Sequence, residues 1–120
     1  MKKILIVDDE PNIVMALEYT FKKNNFEVFI ARDGQEALEI LKNQLPDVII
    51  LDVMMPMVDG FATLEHIKKN ERLRHCKVIF LSAKNKEKDI ESGLALGANL
   101  YVTKPFSVKK LVEQVHELTQ

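Results

Sequence analysis

At 120 residues, 47% of them hydrophobic, the chain can bury a core as one domain (1–120) without disulfides or a structural metal. Its 17 Lys+Arg and 18 Asp+Glu leave a net charge of -1, which excludes the broad positive field that holds nucleic acid or an anionic membrane. A lone Cys76 excludes an internal disulfide, no Cys/His cluster has metal-ligand spacing, and no stretch approaches the ~20 apolar residues of a membrane span.

The first predicted element is Ile4-Leu5-Ile6-Val7, an apolar run that meets Asp8-Asp9 too soon to be a signal-peptide core, so the expected compartment is the cytoplasm. Pro11 suits the first turn of a helix after an Asp or Glu cap, and Ile13, Val14, Leu17 and Phe21 mark its apolar stripe. Phe26 to Ile30 forms a second strand. Asp33-Gly34 then signals a turn before a helix striped by Ala37, Leu38, Leu41 and Leu45. The third run, Val48-Ile49-Ile50-Leu51, ends in Asp52, and Asp59-Gly60 signals another turn before a stripe of Phe61, Leu64 and Ile67. Val78-Ile79-Phe80-Leu81 ends in Ser82. Glu87 to Gly97 reads as a helix with a thin stripe, Ile90, Leu94 and Ala95, and is predicted to be the least firmly held. Leu100-Tyr101-Val102-Thr103 ends in Lys104-Pro105, after which Ser107 caps the clearest helix, striped by Val108, Leu111, Val112, Val115 and Leu118.

Short β-branched runs without alternation are the mark of strands covered on both faces, and their regular exchange with helices predicts βαβαβαβαβα, an α/β doubly wound parallel sheet. In such a sheet Asp8, Asp9, Asp52, Ser82 and Lys104 converge at the carboxyl edge, where open α/β folds bind ligands. Each residue has a plainer reading by itself. Asp8 or Asp9 can cap the helix opened by Pro11, Asp52 can serve a turn, Ser82 can cap, and Lys104 can be a solvated lysine. Their concurrence at one edge favours a site. Three neighbouring carboxylates with no His or Cys beside them suit a hard divalent cation such as Mg²⁺, and their repulsion should raise at least one pKa. With Lys104 and the cation balancing the charge, a carboxylate could act as a nucleophile on phosphorus.

Val7-Asp8-Asp9-Glu10, Leu51-Asp52-Val53-Met54-Met55-Pro56 with Asp59-Gly60, Leu81-Ser82-Ala83, and Gly97-Ala98 followed by Tyr101-Val102-Thr103-Lys104-Pro105-Phe106 closely resemble the receiver domain of two-component response regulators. The resemblance implies a (βα)5 flavodoxin-like sheet of order 2-1-3-4-5 and a phosphoprotein carrying 4-aspartylphosphate at Asp52. It implies that Asp9, Asp52 and the backbone carbonyl of Met54 ligate Mg²⁺ or Mn²⁺, with Asp8 acting mainly through water. Ser82 and Lys104 would hold phosphoryl oxygens, Ser82 and Tyr101 would form the switch, and the Lys104-Pro105 peptide would be cis. Ala83 matches a position kept small for access, while Met54 and Lys84 fall where the family tunes phosphoryl lifetime. Implied partners are a sensor histidine kinase or histidine phosphotransfer protein and a downstream effector domain or protein. A phosphorylation-dependent homodimer is a further option, weakened by Asn99-Leu100 where the winged-helix branch commonly has an acidic pair.

The implied role is a phosphoacceptor and not an enzyme in its own right, with no direct nucleic-acid or membrane contact. An aspartate-nucleophile phosphatase of the haloacid dehalogenase type is the enzymatic rival, but its second Asp is here Met54 and no cap domain fits. A nucleotide or flavin module lacks its Gly-rich loops. A phosphorylation-independent interaction domain would not require every motif position to be filled, as it is here. Met54, Met55 and Met57 are expected to pack under their loop, His66, His75 and His116 to be surface residues, and Cys76 to be a small core hydrophobe. Ending at Gln120, the sequence fits a stand-alone regulator or a receiver cut from a longer protein.

Overall fold

The computed structural model describes residues 1–55 and 58–120, so Pro56 and Met57 lie outside the described residues. Ten elements follow one another as β1 (Lys2–Val7), α1 (Pro11–Lys23), β2 (Phe26–Ala31), α2 (Gly34–Leu41), β3 (Val48–Asp52), α3 (Gly60–Lys69), β4 (Lys77–Ser82), α4 (Glu87–Ala95), β5 (Leu100–Thr103) and α5 (Val108–Leu118). All strand pairs are parallel, in the order β2-β1-β3-β4-β5. The expected α/β doubly wound, flavodoxin-like architecture is therefore observed.

The apolar runs are continuous because the sheet is covered on both faces. Leu5, Val7, Ile49, Leu51, Val78 and Phe80 join α2 and α3 residues in one buried cluster. Their strand neighbours Ile4, Ile6, Val48, Ile50, Ile79 and Leu81 point the other way, into a second cluster with Leu17 and Phe21 of α1 and Leu111, Val112 and Val115 of α5.

Several local readings need correction. Asp33 and Asp59 are helix N-caps, accepting hydrogen bonds from Glu36 N at 2.8 Å and Ala62 N at 2.9 Å, and their glycines are first helical residues. Gly60 is required by proximity: a Cβ there would stand 2.3 Å from the Asp52 carbonyl oxygen. The missing side chain lets α3 start directly against the end of β3. Leu45 is exposed, because α2 stops at Leu41. Met55 is buried whereas Met54 is exposed, so only one of that pair packs under the loop. In α4 the predicted stripe is misplaced: Leu94 and Ala95 are exposed and Gly93 is the buried residue, laid against the rings of Tyr101 and Phe80. The helix is still the most thinly anchored, as expected. No described helix is long and apolar enough to cross a membrane.

Candidate functional site

Register carries the chemistry to one place. Val7 of β1 pairs with Leu51 of β3, so Asp8 and Asp52 leave the sheet side by side at its carboxyl edge. Ser82 of β4 pairs with Thr103 of β5, and the Lys104 backbone N–H donates to the Ser82 carbonyl at 2.8 Å. Lys104 thus starts from a fixed main chain, followed by a cis bond to Pro105.

The two aspartates are built alike. Asp8 Oδ1 accepts from Glu10 N at 2.9 Å, and Asp52 Oδ1 accepts from Met54 N at 3.1 Å. A side chain bonded to its own backbone two residues on is locked in direction, which leaves each Oδ2 turned to the site. There Lys104 Nζ lies 3.1 Å from Asp8 Oδ2, 2.7 Å from Glu10 Oε1 and 3.5 Å from Asp52 Oδ2. Asp8 and Asp52 are only 1% and 3% exposed, so their charges have lost nearly all contact with water.

Burial is the main influence on Asp52, whose pKa is pushed up to about 6; the Asp8 charge adds to the rise, Lys104 opposes it, and Asp9 adds a smaller part. Burial also raises Asp8, against the pull of the Glu10 N–H and Lys104. The expected rise is present, with desolvation ahead of carboxylate repulsion as its cause. For Lys104, burial works against the ammonium, but hydrogen bonds to Glu10 and Asp8 together with the charges of Asp8 and Asp52 outweigh it and the pKa is raised.

Ser82 is fully buried, and its Oγ accepts from Lys84 N at 3.0 Å. Tyr101 packs on Phe80 with ring centroids 5.9 Å apart, and its hydroxyl donates to the Lys84 carbonyl at 2.8 Å. The two expected switch residues therefore meet on the backbone of Lys84. Ala83 and the Lys84 side chain are exposed beside the site. The Met54 backbone is tied to Asp52 through its N–H, and its side chain faces solvent. His66, His75 and His116 are all exposed, and Cys76 is buried just ahead of β4, its thiol pKa raised by burial.

Among the described residues, the acidic group compact enough for a metal ion is Asp8, Glu10 and Asp52, with oxygens within 4.8 Å of one another. Asp9 is exposed and stands outside that group. An all-oxygen donor set with two buried carboxylates, both held at raised pKa, fits a hard divalent cation. Glu10 was not singled out from the sequence. The available signal was Pro11, which disfavours helical backbone in the residue before it and so keeps Glu10 extended at the helix entrance.

Residues 4–116 match the family model described as the response regulator receiver domain. The receiver domain of the Francisella response regulator 1452 is 34% identical, with a TM-score of 0.92 over 99% of this chain and 97% of that one. A signal receiver domain of a histidine kinase from Syntrophus aciditrophicus is 33% identical, with a TM-score of 0.91 over 99% and 90%. The receiver domain of the sensor histidine kinase PA1611 from Pseudomonas aeruginosa PAO1, with a magnesium ion coordinated in its active site cleft, is 28% identical, with a TM-score of 0.89 over 98% and 97%.

Proposed function

The chain belongs to the response regulator receiver domain family, and from that premise we propose that residues 1–120 form one phosphoacceptor domain in which Asp52 takes a phosphoryl group from a phosphohistidine. Receiver domains are generally phosphoacceptors and not enzymes acting on a separate substrate. The observation that carries the reading is the buried Asp52 whose Oδ2, left over from the Met54 N–H, faces Lys104 Nζ at 3.5 Å with Asp8 alongside.

In the reaction, an Asp52 oxygen forms the new P–O bond while the P–N bond to the donor imidazole breaks, and the leaving imidazole keeps the electron pair and takes a proton. With a pKa near 6, Asp52 is ionised at neutral pH and able to attack. Lys104 then serves a phosphoryl oxygen, and the Ser82 hydroxyl can donate to another. Asp9, Asp52 and the Met54 carbonyl would hold Mg²⁺ or Mn²⁺ directly and Asp8 through water; the magnesium in the Pseudomonas relative supports this choice. When bound, the cation supplies charge neutralisation at the phosphoryl oxygens.

The output follows from the shared Lys84 backbone. A phosphoryl oxygen drawing on Ser82 changes what Ser82 offers the Lys84 N–H, while the Lys84 carbonyl holds Tyr101 beneath α4. Ser82 and Tyr101 thus bias the surface of α4, β5 and α5 that an effector would read. The upstream partner is a sensor histidine kinase or histidine phosphotransfer protein.

Intact-mass measurement after acetyl phosphate treatment tests the core of the reading. One phosphoryl addition is expected, lost on chelation and in Asp52→Ala. Full labelling of Asp52→Ala would move the acceptor elsewhere.

A further inference from the structure

The carboxylates that gather as a candidate metal group, Asp8, Glu10 and Asp52, are the same three that Lys104 Nζ approaches. Their closeness has a cause on the spot: the ammonium sits among them. Its hydrogen bonds go to Glu10 at 2.7 Å and Asp8 at 3.1 Å, while Asp52, at 3.5 Å, is reached only as a charge. Lys104 is thus drawn to the α1 side of the site and away from the phosphoacceptor.

We propose that Glu10 is a positioning residue, a latch that holds the Lys104 ammonium on the α1 side and must release it before Lys104 can serve a phosphoryl group on Asp52. This rests on the phosphoacceptor reading of Asp52 given above. Glu10 suits the task because its backbone is fixed and its carboxylate is not otherwise engaged by the helix. Its N–H is held by Asp8 Oδ1, its carbonyl accepts from Val14 N at 3.1 Å, and its side chain makes no capping bond to α1. Pro11 at the first helical position keeps it extended.

Exposure separates the three partners. The Glu10 side chain is 56% exposed against 1% for Asp8, so Glu10 can return to water at little cost whereas Asp8 cannot. The Lys104 main chain is anchored on Ser82, so release is a rotation of the lysine side chain alone. Asp9 is exposed and stands outside the group, so the metal role proposed for it above does not compete with the hold of Glu10 on the lysine.

The test is titration of beryllofluoride, a phosphoryl analogue, at saturating Mg²⁺, followed by amide shifts and by the side-chain ammonium signal of Lys104. Glu10→Gln should tighten binding by ~2- to 5-fold, as expected for loss of a competing, partly exposed ion pair. Glu10→Asp, which keeps the charge but shortens the reach, should tighten it similarly. In a Lys104→Met background the gain from Glu10→Gln should vanish, because no ammonium remains to be released. Unchanged or weaker binding in Glu10→Gln, or a gain that persists with Lys104→Met, overturns the latch and leaves the phosphoacceptor reading standing. Wild-type protein that binds no beryllofluoride with Mg²⁺ overturns that reading, and the latch with it.

Discussion

The two helices beside β5 are held by opposite means. The α5 helix is capped by the Ser107 hydroxyl, which accepts from Lys110 N at 3.2 Å, and it buries Leu111, Val112 and Val115 against α1 and the sheet. The α4 helix has no side-chain cap, and its one buried residue is Gly93. Burying an apolar side chain is worth about 1.5 to 3 kcal/mol, so α5 is anchored by several such contributions and α4 by almost none. Gly93 of α4 lies on the Tyr101 ring, which is tied through the Lys84 backbone to Ser82, and beyond Ser82 lie the buried carboxylates. The fold thus stores stability on the α5 side and leaves the α4 side cheap to move.

The sharpest test is Leu111→Ala. Truncating a buried leucine in the cluster that α5 shares with α1 and the sheet should cost about 2 to 5 kcal/mol in urea unfolding, through lost transfer energy and the cavity left behind. A loss below about 1 kcal/mol would mean that α5 collapses onto the space and that its hold is less rigid than the packing indicates.

Next in size is the strain at the site. The Asp52 pKa, raised from 3.8 to about 6 by burial first and by Asp8 second, means that the folded state binds a proton more tightly than the unfolded chain. This group's destabilisation is absent below pH ~4, grows between pH ~4 and ~6, and is fully present at neutral pH. At 1.36 kcal/mol per unit the total is roughly 3 kcal/mol. Asp52→Asn retains an acceptor for the Met54 N–H and removes the charge. The metal-free variant should therefore exceed wild type in stability by roughly 2 to 3 kcal/mol at pH 7.5, with the gap closing toward pH 4. Thermal melts in EDTA across that range read it directly. A gap of the same size at pH 4 would assign the gain to packing and not to charge. Lys104 has the opposite linkage: its raised pKa gives stability present below ~10.5 and lost as pH rises above it.

Legibility in the sequence followed the same division. Doubly covered parallel strands announce themselves as unbroken β-branched runs, so all five were placed within a residue or two at either end, and the polar residues that end them marked the site. Helix stripes were less reliable because periodicity does not say where a helix stops. Leu45 keeps the phase of α2 but lies past its end, and Leu94 keeps the phase of α4 but faces water. Asp-Gly is ambiguous between a turn and a cap with its first helical residue; only the bonds from Glu36 N to Asp33 and from Ala62 N to Asp59 decide it. Glu10 escaped notice because its partner Lys104 is 94 residues away and its direction is set by Pro11. The place of Asp9 outside the compact acidic group was missed for a different reason: adjacent residues leave a strand end in different directions, so Asp8 turns in while Asp9 is exposed.

The smallest effect probes the weak side itself. In Gly93→Ala the new methyl would stand 2.9 Å from Tyr101 Cδ2 and 3.0 Å from Phe80 Cδ2, so α4 or the Tyr101 ring must shift. Overpacking of this kind costs about 1 to 3 kcal/mol, while replacing a mid-helix glycine with alanine returns about 1 kcal/mol of helix propensity. The balance is a net loss of about 1 kcal/mol in urea unfolding, small because α4 can lift away. The ring should lift with it, weakening the hydrogen bond to the Lys84 carbonyl, and the amide shifts of Lys84 and Tyr101 should move in the absence of any phosphoryl group. Leu94→Ala on the exposed face is the control, with a change below about 0.5 kcal/mol and no shift at Tyr101. A loss above about 3 kcal/mol in Gly93→Ala would show that α4 is held firmly in place, and the contrast between the two helices would fail.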